Sequence, residues 1–209
     1  MKVLVIGTGN MGAGFVKQLT AAGHQVSVTA RDFAKAQALA LQHGATAVAL
    51  DGAANNMAAV VVATPYEQAA AALRSVGDLA GKTVIDITNP LTPDYMGLTL
   101  GHSTSAGEEI ARAVPGAEVV KAFNTVFAQV LAEGADFGAG QKVTVFLASD
   151  SEPAKQTARA LAESMGFNTQ DAGGLKNARY LEPLAGLNIY FGYGAGLGTA
   201  IAPTWIRKS

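Results

Sequence analysis

Residues 7–12 read Gly7-Thr8-Gly9-Asn10-Met11-Gly12, and the context of this G-x-G-x-x-G turn restricts the fold more than any other feature of the chain. It follows an apolar strand at residues 3–6 and opens a helix patterned apolar at Phe15, Val16 and Leu19. Gly23 and a second strand follow within about thirty residues, the spacing of a dinucleotide-binding βαβ unit. Each glycine has its own task. Gly7 makes the tight turn, Gly9 lets the backbone approach a pyrophosphate, and Gly12 lets the helix pack close to the strand. The pyrophosphate then meets the N-terminus of the helix, where free backbone N–H groups favour an anion. A glycine-rich turn without a ligand is the competing reading, and the strand-turn-helix context outweighs it.

Beyond this unit, strand-length apolar runs at residues 25–29, 60–63, 83–87, 119–122 and 144–148 alternate with helical patterns at 33–43, 66–76, 105–113 and 153–165. Such alternation predicts a parallel sheet with helices on both faces, and the near-continuous Val/Ile/Ala runs fit strands covered on both sides. The expected fold is α/β, a doubly wound, mainly parallel Rossmann sheet with a small C-terminal helical element. Residues 1–172 are expected to form the nucleotide domain and 173–209 the appendage. Thr64-Pro65 and Asn89-Pro90 each break a strand at its carboxyl end, the edge at which open α/β sheets bind ligands.

The end of the second strand decides between two cofactors. An acidic residue there would hold the ribose 2′-hydroxyl of NAD, but the strand runs into Ala30-Arg31-Asp32. Arg31, a permanently charged planar fork, suits a 2′-phosphate, and Lys35 lies one helical turn further on the same face. The expected cofactor is therefore NADP(H). Asp32 has two readings, as a ribose ligand after a small register slip or as the N-cap of the helix that starts at Phe33.

Other chemistries are removed by composition. The 209 residues carry a net charge of −1 and no run of Lys or Arg, so no nucleic-acid partner is expected. There is no cysteine, and His24, His43 and His102 are scattered, so neither thiol catalysis nor a metal site is expected. The N-terminus lacks the pattern of a secretory signal, which makes the cytoplasm the expected location. Lys121 and Asp86 are the polar residues on otherwise apolar strands. Lys121 is expected to snorkel from a strand end to the surface, and Asp86 to tether a loop.

Four further blocks accompany the glycine turn and Ala30-Arg31: Thr64-Pro65-Tyr66-Glu67, Asp86-Ile87-Thr88-Asn89-Pro90-Leu91, Val120-Lys121-Ala122-Phe123-Asn124-Thr125 and Asp171-Ala172-Gly173-Gly174-Leu175. With them the chain resembles, along nearly its whole length, the NADP-dependent coenzyme F-420 (deazaflavin) oxidoreductase family. The same blocks are similar to the cytosolic NADPH-binding domain of the six-transmembrane ferric reductases. The resemblance implies an enzyme passing hydride between NADPH and a flavin or deazaflavin, the two rings stacked between the Rossmann domain and the C-terminal element. It places Thr8, Gly9, Asn10 and Met11 at the pyrophosphate, and Ala30, Arg31 and Lys35 at the 2′-phosphate. Thr64, Pro65 and Tyr66 would line the cofactor cleft together with Asn89 and Ala122 of the same blocks, and Asn124 to Ala128 would border the nicotinamide. Asn124 is the candidate orienting residue. The deazaflavin enzymes carry a histidine at that position, which leaves the acceptor open.

Direct ring-to-ring transfer needs proximity and orientation more than an acid or base, consistent with the lack of a catalytic triad. Two alternatives stand beside it. An imine or hydroxyacid dehydrogenase shares the glycine turn but needs a large helical second domain, for which only the segment after Gly173 is left; a non-catalytic NADP(H) sensor would bind NADPH without oxidising it. The uncharged stretch 184–206, followed by Arg207 and Lys208, has a layout that hydropathy alone could assign to a membrane. Asn188, the many glycines and Pro203 argue instead for a helix over 184–202 buried in a homodimer.

Overall fold

The computed structural model describes residues 1–206 and Lys208. Arg207, one of the charges that flank the apolar stretch, lies outside the described residues. Strand β1 (Lys2–Ile6) occupies the centre of a six-stranded parallel sheet with β2 (Gln25–Thr29), β3 (Thr46–Ala47), β4 (Ala59–Val62), β5 (Thr83–Asp86) and β6 (Glu118–Lys121), in the order β3-β2-β1-β4-β5-β6. This is the Rossmann order. β7 (Thr144–Leu147) and β8 (Asn168–Asp171) pair with each other in parallel, and an antiparallel bridge between Lys121 and Ala148 attaches them beside β6.

Successive strand residues face opposite sides, and both sides are apolar here. Val3 and Val5 enter one core with Phe15, Val16 and Leu19 of α1 (Asn10–Ala21), the residues that the helical spacing singles out. α2 (Phe33–His43), α5 (Ala128–Glu133) and α6 (Glu152–Ser164) cover the same face. Leu4 and Ile6 enter the second core with Leu73 of α3 (Tyr66–Arg74) and Ile110 of α4 (Ala106–Ala113). Gly14 brings α5 against α1, since a methyl at its Cα would lie 3.0 Å from the Leu131 side chain.

The C-terminal segment departs from the sequence expectation. After a 3-10 turn, α7 (Ala178–Ile189) ends thirteen residues short of Ala202, relaxes through one π-type turn (Tyr190–Gly194), and continues without regular structure. Four glycines between 192 and 198 explain the stop. Each costs a helix interior about 1 kcal/mol relative to alanine, and Gly196 and Gly198 adopt left-handed φ values of 72° and 79°. Among the described residues no helix is long and apolar enough to cross a membrane.

Candidate functional site

The glycine turn has the geometry its spacing requires. Gly7 sits at φ +117°, and a Cβ there would lie 2.3 Å from the Ala63 carbonyl oxygen; a Cβ on Gly12 would lie 2.1 Å from the Gly7 carbonyl oxygen. Both positions exclude side chains. At Gly9 an added Cβ would meet nothing within 4 Å, and no side chain caps α1, so its first N–H groups face open space at the positive end of the helix dipole.

In front of the turn lies a cleft of about 840 Å³ lined by Gly7, Thr8, Gly9, Ala30, Arg31, Lys35, Thr64 and Pro65 among others. The residues expected at the pyrophosphate and 2′-phosphate thus largely converge. Asp32 also lines this cleft, but as the N-cap of α2: its carboxylate accepts from the Lys35 backbone N–H at 3.3 Å and lies 3.6 Å from the Lys35 ammonium. The cap reading therefore prevails over the ribose-ligand reading. The cradle closed to Cβ atoms, the uncapped helix end and two cations at the far wall fit a dinucleotide with a 2′-phosphate.

A second pocket of about 230 Å³ continues past Met11 and holds Asn89, Asn124 and Ala128, with Ala185, Asn188 and Ile189 of α7 as its opposite wall. Phe123, just before Asn124, is bulky yet sits at φ +59°, a conformation that costs on the order of 1–3 kcal/mol and persists only when surrounding structure enforces it. Edge-to-face contacts with Phe15 and Phe167, at centroid distances of 5.0 and 5.8 Å, supply that enforcement. The Asn124 amide donates to Asn89 Oδ1 at 3.0 Å and to the Leu181 carbonyl at 2.9 Å, while Asn89 donates to the Asn124 carbonyl at 2.8 Å. Both Asn124 donors are consumed. Its Oδ1 is buried without a partner.

Not every expected residue reaches these spaces. Asn10 lines a separate groove with Ala128. Tyr66 packs on the core of the α3 face instead of lining the cleft; burial pushes its phenol above the ordinary value, with Glu109, Glu182 and Asp86 adding to the effect. Ala122, expected in the cofactor cleft, is fully buried in the main core and lines neither pocket, because the residue after β6 points its side chain back into the sheet.

Lys121 requires the largest correction. It is wholly buried rather than at the surface, 2.6 Å from Asp86 Oδ2 and 2.9 Å from Glu182 Oε1, and it donates to the Thr88 carbonyl at 2.7 Å. One buried ammonium thus lies within 3 Å of three oxygens. Asp86 does tether its loop, through the Thr88 N–H at 2.8 Å, while also serving this cluster. Glu182, which sequence reasoning missed, accepts in addition from the Ala106 and Gly107 N–H groups at 2.9 and 3.0 Å. The triad thereby fastens α7 to β5, β6 and the start of α4. Arg179 adds a second clasp, bidentate to Glu108 at 2.7 and 2.8 Å, and its hydrogen bonds hold the Glu108 carboxyl below the usual glutamate range. A depressed carboxylate stabilises the fold above its unfolded value. This clasp is expected to hold at neutral pH and to be lost as pH falls through the depressed value.

A parallel sheet with a phosphate-binding glycine turn, a cation pair at the ribose end and a ring-sized pocket at the strand carboxyl ends defines a dinucleotide-dependent oxidoreductase. Comparison with known proteins narrows the class. Residues 2–90 match the family model described as NADP oxidoreductase, coenzyme F420-dependent. The F420-dependent NADP reductase of Methanothermobacter thermautotrophicus is 32% identical over 207 residues, 90% of this chain and 88% of that protein. Rat metalloreductase STEAP3 is 30% identical over 184 residues, 88% of this chain but 36% of the rat protein. The chain spans about a third of that relative's length. A crystal structure from Arthrobacter sp. FB24, assigned provisionally as an F420-dependent NADP reductase, superposes with a TM-score of 0.83 at 30% identity, covering 95% of this chain and 96% of that one. A reductive aminase of Aspergillus terreus, at a TM-score of 0.68 and 20% identity, shares the fold and is covered over 62% of its length. This chain belongs to the coenzyme F420-dependent NADP oxidoreductase family and is an NADP-dependent oxidoreductase.

Proposed function

We propose that this oxidoreductase transfers hydride between NADPH and a flavin- or deazaflavin-type ring that docks at Asn124 and Thr125 against the C-terminal element. The 1–172 unit holds the dinucleotide, and residues 173–209 close the acceptor side. The observation that carries this reading is the character of the 230 Å³ pocket. No Asp, Glu, Lys or His lines it, and its two phenols, Tyr95 and Tyr193, are 62% and 65% exposed at the rim. Reduction of a carbonyl or imine calls for a positioned proton donor; a ring acceptor can take its proton from water. When bound, the nicotinamide supplies two electrons and a hydrogen as hydride from its C4, and the reduced ring gains one further proton from solvent.

The chain's own part is orientation. Thr8 and Gly9, with the free N–H groups at the start of α1, hold the pyrophosphate end, and Arg31 and Lys35 the 2′-phosphate. Asn124, with both donors already tied to Asn89 and Leu181, presents Oδ1 alone and can only accept a hydrogen bond. That suits an N–H of a carboxamide or of a ring edge. Asn124→Ala is expected to lower kcat with a flavin or deazaflavin at least ten-fold while changing the NADPH Kd by less than three-fold, estimates from the loss of about one oriented hydrogen bond. Steady-state kinetics paired with NADPH titration checks this. Unchanged turnover on every ring, with rapid reduction of a small imine or ketone by the wild type, would transfer the assignment to an imine or hydroxyacid dehydrogenase; binding of NADPH without any oxidation would make the protein a sensor.

The same element leaves Leu187, Tyr190 and Phe191 between 41% and 53% exposed, and clustered exposed apolar side chains mark interaction surfaces. We read this face as a homodimer contact. Sedimentation equilibrium is expected to give twice the 21.3 kDa chain mass, and Leu187→Glu to return the monomer; a monomeric wild type removes the contact.

A further inference from the structure

Five non-glycine residues among those described have a left-handed backbone: Asn56, Tyr95, His102, Phe123 and Ala139. Four of them are exposed and lie in turns, whereas Phe123 is 1% exposed and directly precedes Asn124. Along β6 the side chains alternate as an extended strand requires. Val119 enters the second core, Val120 the main core, Lys121 the ion cluster with Glu182 of α7, and Ala122 the main core again. Continued alternation would send Phe123 to the α7 side and Asn124 into the apolar core. Instead Phe123 joins Ala122 in the main core, and Asn124 emerges on the α7 side, where its amide reaches Asn89 and the Leu181 carbonyl. One residue at φ +59° thus shifts the alternation by a position, and the Val126 N–H closes the turn on the Phe123 carbonyl at 3.0 Å.

Glycine is the usual residue for a left-handed backbone, because it has no Cβ for that conformation to crowd. A glycine would also be free to leave it. Phe123 is not, since its ring lies between Phe15 of α1 and Phe167 at the entry to β8, edge to face with both at 5.0 and 5.8 Å. All three rings are at most 3% exposed, and a return to negative φ would pull the middle one out of both contacts. We propose that Phe123 is a positioning residue for hydride transfer: the Phe15–Phe123–Phe167 clamp holds residue 123 left-handed and so keeps the Asn124 amide turned out of the core, its Oδ1 free for a ligand. This rests on the role given to Asn124 above and adds the device that maintains it.

Phe15→Leu and Phe167→Leu each remove one ring while keeping an apolar side chain in the core. Each is expected to lower kcat with FMN or 5-deazariboflavin about two- to ten-fold, the range of one edge-to-face contact, and to change the NADPH Kd by less than about three-fold. Because the clamp acts through Asn124, Phe15→Leu combined with Asn124→Ala should be no slower than Asn124→Ala alone, whereas an independent loss would multiply. Leu79→Ala, a core truncation ahead of β5, should lower Tm and leave kcat unchanged. Solvent exchange of the Asn124 side-chain amide, followed by isotope-edited NMR with no acceptor present, should quicken in both leucine variants and keep its wild-type rate in Leu79→Ala. Multiplying effects in the double variant, or wild-type turnover and amide exchange in both leucine variants, overturn the clamp and leave the role of Asn124 standing. Wild-type turnover in Asn124→Ala overturns that role, and the inference falls with it. If the wild type reduces neither ring, the ring reading fails, and the amide exchange alone decides for or against the clamp.

Discussion

Lys121→Met is expected to cost about 3–5 kcal/mol of unfolding free energy, because removing one partner of a buried ion pair leaves its counter-charges uncompensated. Here two carboxylates, those of Asp86 and Glu182, would be left in a site with no access to water. For a domain of this size such a loss corresponds to a fall in Tm of roughly 6–20 °C. The triple variant Lys121→Met, Asp86→Asn, Glu182→Gln should recover most of it. It removes the charge while leaving the Glu182 position an oxygen for the Ala106 and Gly107 N–H groups and the Asp86 position one for Thr88. Buried ion clusters often contribute little relative to neutral replacements of similar shape. Thermal unfolding of the wild type and both variants decides the matter: if Lys121→Met unfolds within about 2 °C of the wild type, the triad is not what holds α7. A second consequence concerns function. Since α7 supplies the wall of the ring pocket through Ala185, Asn188 and Ile189, the single variant should raise the acceptor KM more than the NADPH KM.

The triad also shows where sequence reading stops. Asp86, Lys121 and Glu182 lie on β5, β6 and α7, and nothing local announces that their side chains meet. A lone lysine at the end of a Val-Val run is commonly a snorkelling surface residue, and only the arrival of α7 over the strand ends makes it a buried cation. The glycine turn was legible because its constraint is local: the positive φ of Gly7 and the contact of Gly12 with the Gly7 carbonyl follow from the path of ten consecutive residues. Asp32 was half legible, as its capping geometry is also local but its competition with a ribose is not. β8 carried no signal, because Asn168-Thr169-Gln170-Asp171 is polar and joins β7 through backbone hydrogen bonds at an edge. α5, at six residues, is too short for periodicity to register, and its place depends on Gly14 accepting Leu131. Asn124 reads in the sequence as an amide free to donate and accept, whereas in the folded chain both its donors are committed to Asn89 and Leu181.

NADPH is expected to bind at least ten-fold, and up to about a hundred-fold, more tightly than NADH, the range of one charge-assisted phosphate contact. The two cofactors differ only at the ribose 2′ position. Arg31 and Lys35 line the cleft in front of the glycine turn, directly after β2, and Ala30 stands where an NAD-binding strand would end in a carboxylate. Asp32 cannot readily substitute for that carboxylate, since it is committed to the Lys35 backbone N–H as the cap of α2. Arg31→Ser is therefore expected to remove most of the preference by weakening NADPH, with NADH little changed. Arg31→Lys should recover less than half of it, because an ammonium lacks the planar fork that meets a phosphate through two hydrogen bonds. Both cations are exposed, so the preference should shrink as salt is raised from about 0.01 to 0.15 M, over which the screening length falls from roughly 30 to 8 Å. Calorimetric titration of both cofactors at the two salt concentrations tests each part. Equal dissociation constants in the wild type would mean that Asp32 leaves its cap to hold the ribose; in that event Asp32→Ala should weaken NADH as much as NADPH, and the cation pair would have no part in choosing the cofactor.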